Sequence, residues 1–518
     1  MGDTAAEQPT GPTASGPTAS GPTSPATPAA TKPPREPVDD LVTTHHELTG
    51  GGRTLHYTAT TGRVVLREEK HDDGTFGGNT ARAELSLTTY VLDDADPRTR
   101  PVTFAFNGGP GSASVWLHLG LLGPRRVVSG DAGALARPPY DLVDNAESLL
   151  AVSDLVFVDP VSTGYSRAVS GGKAGEYHGY QRDVEAMAEL VRAWTTRHRR
   201  WMSPKVVAGE SYGTLRGAAL AAHLQERYGM FLNGLVLVSS VLDLSSVDFE
   251  KQRNDRAHAL YLPTYAAIAH HHGLHGDRPL NDVLDEAVAY ASRDYPWVLS
   301  RGSRLTASER ADAVRTLARL SGLSEGYVDR ADLRIEHWRY FTELLRDRRL
   351  TVGRLDGRFT GPAASAIAEN MDADPSMDAI TGAYATAWNH YVRAELGYET
   401  DLHYELISPR VHPWSYAEFA GRPVDVSHLL ERGHAPEPAP PGPRRLRLPR
   451  RGDAVVRGRG RRRAPAAAAR PARQHRAPVL RGRAHDVRAR AVTGAAERRP
   501  GRIRGEGLRP GHVDSEAT

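Results

Sequence analysis

The 518-residue chain contains no cysteine, which excludes disulfides and any thiolate metal site. It also lacks an unbroken apolar run of the roughly 18 residues that a membrane helix needs, so no membrane span is expected. The first residues do not show the charged and then apolar order of a secretory signal. With the missing cysteines, this points to cytoplasmic residence. Lysine is absent from the last stretch: between 433 and 518 there are about 22 Arg and 7 acids, which leaves the rest of the chain acidic despite a formal net charge of +4.

These shifts in composition divide the chain. Residues 1–40 carry Gly-Pro-Thr-Ala-Ser repeats from Gly11 onward and cannot bury enough apolar area to offset their chain entropy, so a disordered tail is expected. Residues 41–432 have the composition of one enlarged folded domain. Residues 433–518 are Arg, Pro, Ala and Gly with almost no apolar periodicity.

Within the domain, Arg53 to Leu66 and Ala81 to Leu92 alternate as an antiparallel hairpin would. Four apolar runs follow: Val102 to Phe106, Asp154 to Val158, Lys205 to Ala208 and Leu235 to Ser239. Continuous apolar runs fit strands buried on both faces. Helical stretches from Gln181 to His198 and from Leu215 to Glu226 separate the later runs, and this alternation predicts a mainly parallel sheet covered on both sides. Val184, Met187, Val191 and Trp194 recur at helical spacing and read as a packing face. From about 249 to 386 strand signals stop and helical ones take over, as in Ala307 to Leu320 and Ile335 to Leu345, which predicts a helical insertion. The cluster His270, His271, His272 and His275 lies inside it. Gly273 and Gly276 mark a helix end there, and Asp277 completes no metal motif, so no metal is expected.

Two motifs carry chemistry. Gly209-Glu210-Ser211-Tyr212-Gly213 follows a strand and precedes a helix, the setting in which small flanking residues let the chain turn sharply and present a serine hydroxyl at the sheet edge. Asn107-Gly108-Gly109-Pro110-Gly111 follows the strand ending at Phe106. It reads either as a tight turn or as a loop of bare backbone amides able to approach a developing oxyanion. No Gly-Lys-Ser or Gly-Lys-Thr follows, so it is not a phosphate loop.

Taken with Gly123-Pro124-Arg125, Asn145-Ala146-Glu147-Ser148, Val156 to Pro160 continuing through Gly164-Tyr165-Ser166, and Asn233-Gly234, these motifs occur in the order seen in serine carboxypeptidases. The resemblance runs from roughly Pro101 to Ser246 and more weakly to about Leu430. It implies an α/β-hydrolase fold, with a mainly parallel central sheet, helices on both faces and a helical cap insertion, and it implies no cofactor. It further implies that Ser211 attacks the C-terminal peptide bond of a peptide or protein while the Gly109 and Tyr212 amides hold the oxyanion. Asn107, Gly108 and Glu210 would bind the substrate's free carboxylate. A glutamate donates to a carboxylate only when protonated, so burial must raise its pKa and acid pH should be favoured. Three positions depart from the family pattern: Ala105 for a tryptophan, Ser112 for a cysteine and Leu121 for a second glutamate. The last departure leaves esterase or acyltransferase action as an alternative.

The triad carboxylate and histidine should follow the serine in that order, beyond about residue 420. None is identifiable there: His434, His475, His485 and His512 lack a strand-to-loop setting. One reading of 433–518 is a native basic tail that attracts nucleic acid by neutralising phosphates, though nucleic acid is not the expected partner. The favoured reading is a frameshift near Gly433. Shifting the frame by one base lets Arg447 to Ala454 encode Gly-Tyr-His-Asp-Gly-Ala-Thr-Pro, and lets Leu480 to Ala491 encode Tyr-Glu-Ala-Gly-His-Met-Met-Tyr-Val-His-Glu. These strings resemble the family's aspartate and histidine segments, in the right order.

Overall fold

The computed structural model describes residues 36–50, 52–249 and 254–430, and the backbone of 431–433 and 454–456. The expected tails at 1–40 and 433–518 therefore lie almost wholly outside the described residues.

A mixed sheet organises the chain. Its strands are β1 (Asp40–Gly50), β2 (Arg53–Asp72), β3 (Thr75–Leu92), β4 (Val102–Phe106), β5 (Asp154–Val158), β6 (Lys205–Glu210), β7 (Gly234–Val238) and β8 (Ala454–Val456). They lie in the order β1-β2-β3-β5-β4-β6-β7-β8, with the two-residue strand Arg167–Ala168 added beside β3. The parallel part is β5-β4-β6-β7. Antiparallel pairs flank it: β1 to β2, β2 to β3 and β3 to β5 on one side, and β7 to β8 on the other. The sheet is thus less parallel than the sequence suggested, because the opening hairpin has become a three-stranded meander.

The expected strands all form, and two of them run further than their apolar pattern. β2 continues through Arg67-Glu68-Glu69-Lys70-His71-Asp72 to a tight turn and meets the polar start of β3. Cross-strand pairing supports that outer half, together with polar contacts such as those of Glu68 with Arg82 and Arg182.

Helices cover both faces, as a sheet buried on two sides demands. On one face lie α1 (Tyr180–Arg197) and α2 (Tyr212–Tyr228). The stripe Val184, Met187, Val191 and Trp194 is buried there against Phe104, Val156 and Val207. The opposite face packs Phe157, Leu155 and Tyr90 against Trp388, Tyr391 and Val392.

The excursion after β7 holds α3 (Arg256–His271), α4 (Leu280–Arg293), α5 (Tyr295–Arg301), α6 (Ala307–Ser321), α7 (Glu325–Arg330) and α8 (His337–Glu343). They enclose their own apolar core around Leu262, Tyr265, Leu317 and Tyr340. Thr306 begins α6 with a reciprocal capping box to Glu309, which satisfies backbone donors that no helical turn can reach. Contrary to the expectation of helices throughout, the excursion contains a small hairpin pairing Leu350–Val352 with Thr360–Pro362. The chain then returns through α9 (Pro375–Ala394), the helix that supplies Trp388 and Tyr391, and reaches α10 (Ser427–Gly433), which packs on α2, before β8. Among the described residues no helix is long and apolar enough to cross a membrane.

Candidate active site

β6 runs straight into α2, and Ser211 stands at the junction with φ 54° and ψ −124°. A non-glycine residue at positive φ is strained, and strain of this kind persists only where the surroundings hold it. Here the Ser211 amide donates to Val238 O at 3.0 Å, and its carbonyl accepts from the Thr214 amide at 2.8 Å and the Thr214 hydroxyl at 2.6 Å. The Thr214 hydroxyl lies also 3.1 Å from Val241 O. The flanking glycines leave room for the turn: a Cβ on Gly209 would sit 2.1 Å from Gly213 O, and one on Gly213 would sit 2.5 Å from Phe106 O.

The glycine-rich loop after β4 lies directly against this elbow. A Cβ on Gly108 would stand 2.5 Å from the Tyr212 amide nitrogen, 2.7 Å from Glu210 O and 3.0 Å from the Ser211 Cβ. Gly109 has φ +103°, and a Cβ there would strike the Gly111 and Ser112 amides at 2.7 and 2.9 Å. Both readings of the loop therefore meet: it is a tight turn, and the turn brings bare backbone to the serine. Tyr212 opens α2, so its amide has no acceptor within the helix.

Asn107 and Glu210 join the same cluster. Asn107 Nδ2 donates to Glu210 Oε2 at 3.0 Å, and Asn107 Oδ1 accepts from the Leu117 amide at 2.9 Å. Burial pushes the Glu210 carboxyl above its ordinary range, while the Asn107 side chain, the Gly108 amide and the Arg354 charge pull the other way. Arg354 comes from the cap, where it lies 5.6 Å over the Trp338 ring and 3.4 Å from Asp374. Asn107, Gly108, Gly109, Glu210, Ser211 and Tyr212 are thus brought together in one place.

Beneath them lies a group that the sequence reading missed. Arg216 of α2 is fully buried, with Nε and Nη2 bridging both oxygens of Asp183 on α1 at 2.8 and 3.1 Å. Burial opposes its charge, but the Asp183 carboxylate outweighs that and keeps the guanidinium cationic. Removing one partner of such a pair typically costs about 3 to 5 kcal/mol. The available signal was an arginine inside the run Leu215 to Ala219, where every neighbour is apolar or glycine.

The other motifs act as braces. Asp159 Oδ1 accepts from the Ser114 amide and hydroxyl, each at 2.8 Å, just beyond the loop. Asn145 Nδ2 donates to Leu121 O and Gly123 O at 3.0 and 2.8 Å. Asn233 Oδ1 accepts from the Lys205 amide at the foot of β6 at 2.8 Å. At the departures, Ala105 is buried in β4, Ser112 accepts from Trp116 Nε1 at 2.9 Å, and Leu121 is 40% exposed.

The Ser211 side chain makes no capping bond to α2, and among the described residues no imidazole or carboxylate is hydrogen-bonded to it. His434, His475, His485 and His512 lie outside the described residues. In the cap, His270 and His272 donate to the carbonyls of Arg278 and Gly357, each at 2.8 Å. Among the described residues no three His, Asp or Glu side chains form a group that could hold a metal.

A strained serine between a parallel strand and a helix, in a sheet of this order with helices on both faces and a cap after β7, is the architecture of the α/β-hydrolase fold class. Within that class, the family model of the serine carboxypeptidases matches residues 89–277, which bears out the resemblance over the segment that carries the loop and the elbow. Among solved structures, a prohormone-processing carboxypeptidase from Saccharomyces cerevisiae is 17% identical, covering 51% of this chain and 52% of its own, with a TM-score of 0.32. A peroxisomal alpha-beta-hydrolase from the same yeast is 13% identical, covering 40% and 45%, with a TM-score of 0.21. A fungal esterase from Rhizomucor miehei is 18% identical, covering 36% and 47%, with a TM-score of 0.20. The chain spans about half the length of each of these. No curated protein matches it.

Proposed function

We propose that this chain carries the nucleophile half of a serine carboxypeptidase, with peptide or protein C-termini as substrate. In this reading Ser211 Oγ bonds to the carbonyl carbon of the last peptide bond, and the Gly109 and Tyr212 amides stabilise the oxyanion that forms. The C–N bond then breaks, the serine proton passes to the leaving amine, and water releases the acyl group from Ser211. Asn107, Gly108 and protonated Glu210 hold the free carboxylate. One observation carries the proposal: Ser211 at φ 54° has the Gly108 backbone pressed against it, beside a carboxyl whose pKa burial raises.

The proton still needs a base. In the frameshift reading the triad aspartate and histidine belong to the alternative frame beyond Gly433, so this chain binds substrate yet turns over slowly. Losing a triad member typically costs several orders of magnitude in rate. A blocked dipeptide and its C-terminally amidated form are the discriminating pair. The free acid is expected to bind, more tightly as pH falls and Glu210 gains its proton, with hydrolysis near background. Equal binding of the amide would favour the esterase or acyltransferase reading that Leu121 leaves open. Ordinary turnover, or a nucleotide sequence whose shifted frame lacks the two segments, would overturn the frameshift reading.

A further inference from the structure

We propose that Arg216 is a positioning residue that locks the glycine-rich loop to the elbow, so that the Ser211 hydroxyl and the loop amides keep one relative geometry. The functional meaning of this lock rests on the serine carboxypeptidase reading above. Its geometry stands apart from that reading.

Glycines at 108 and 109 have no side chains with which to hold a conformation, and Gly109 sits at φ +103°, so the loop must be anchored from outside. Arg216 Nη1 supplies the anchor by donating to Asn107 O at 2.7 Å. With Nε and Nη2 on Asp183, one planar guanidinium ties three separate segments: α1, α2 and the loop after β4. Its central carbon lies over the rings of Tyr212 and Phe106, 5.1 and 5.8 Å from their centroids. Those two residues are the neighbours of Ser211 and of Asn107. A lysine is a point charge on a flexible stem and cannot reproduce this fork.

Fixing the Asn107 carbonyl also fixes the Gly108 N–H, because the two share one planar peptide unit. A strong donor on the carbonyl polarises that unit and makes its N–H a better donor. The Gly108 N–H favours the charged form of Glu210. Arg216 thus acts on the carboxylate end of the site through a single peptide bond, without touching Glu210 itself.

Deleting Arg216 alone leaves the buried Asp183 with only the Tyr212 hydroxyl at 3.4 Å and no cation, and risks the fold. The test therefore uses two variants: Asp183→Leu combined with Arg216→Met, which replaces the pair by apolar groups, and Arg216→Lys, which keeps a cation beside Asp183. Both are expected to unfold within a few degrees of wild type. Amide hydrogen exchange across 107–112 should accelerate about tenfold or more in the double variant and less in Arg216→Lys, while α1 and β4 to β7 exchange as before. The pH midpoint for binding the free-acid dipeptide should rise in both, since Glu210 loses its strengthened donor while Asn107 and the Arg354 charge remain. Unchanged exchange across 107–112 in a folded variant overturns the proposal, as does acceleration spread evenly through the domain. If wild type binds acid and amide alike, the carboxypeptidase reading fails, and the exchange comparison still decides the role of Arg216.

Discussion

Glycine serves different ends at the elbow and in the cap. At Gly209, Gly213 and Gly108 a Cβ would land 2.1 to 2.5 Å from backbone atoms, whereas at Gly273, Gly276 and Gly302 nothing stands within 4 Å. The cap glycines instead have φ of +79°, +57° and +51°, positive backbone angles that side-chain-bearing residues rarely adopt. In the first region the demand is for space: at Gly108 and Gly213 it comes from segments far apart in sequence, and at Gly209 from the next turn of the elbow itself. In the second it is for a backbone angle, and it is local. A change at the elbow should therefore be felt by the chemistry, and a change in the cap only by the helix end that it touches.

The sharpest way to break this contrast is to add one methyl group in each region. Gly209→Ala forces backbone against backbone and is expected to cost about 3 kcal/mol or more, with loss of dipeptide binding. Gly276→Ala is expected to cost about 1 to 2 kcal/mol, the penalty of a left-handed side chain, with binding intact. Chemical denaturation and binding titrations measure both, and equal losses of binding would end the distinction.

Acid sharpens the same comparison, because the body buries a histidine. His118 bonds Tyr90 at 2.6 Å and stacks on Phe157, and burial lowers its pKa to about 3. Unfolded, it titrates near 6.5. Its contribution to stability is thus complete above pH 6.5 and is lost as pH falls toward 3, at up to about 1.4 kcal/mol per pH unit. Glu210, Asp159 and Asp183, whose pKa values are raised, act with the opposite sign, so the measurement is a difference. A His118→Phe variant should lose less stability than wild type between pH 6.5 and 4, and parallel curves would refute the assignment.

The smallest expected effect joins the two regions. Arg354→Ala removes a cap charge that favours ionised Glu210, so the midpoint for free-acid binding should move up. Because the Arg354 side chain is 40% exposed, water screens it and the shift should stay below about one pH unit. A downward shift would mean that Arg354 does not act on Glu210.

The sequence was most legible where local pattern and tertiary burial agree. β4 to β7 are continuous apolar runs buried on both faces, and the two glycine motifs stand at their ends. β1 was not read as a strand because Asp40–Gly50 buries only Leu48 fully, leaving little alternation to detect. The outer part of β2 was missed for the same reason: its charged residues are held by pairing and not by burial. At the site, the residues adjacent in sequence to the motifs were found. Arg216, Asp183 and Arg354 were not, because what matters in each is a partner more than 30 residues away. Their meeting is a property of the packed sheet and cap, which no local window contains.

The cap leaves the body after β7 and returns at α9, while Ser211, its facing loop and the guanidinium below them all precede residue 239. In the proposed reading the carboxylate-holding groups Asn107, Gly108 and Glu210 share that stretch, and the cap adds the Arg354 charge from another part of the polypeptide. Exchanging the stretch from α3 to α8 for that of a relative should retune which chain ends are admitted while the bond-breaking half stays as it was.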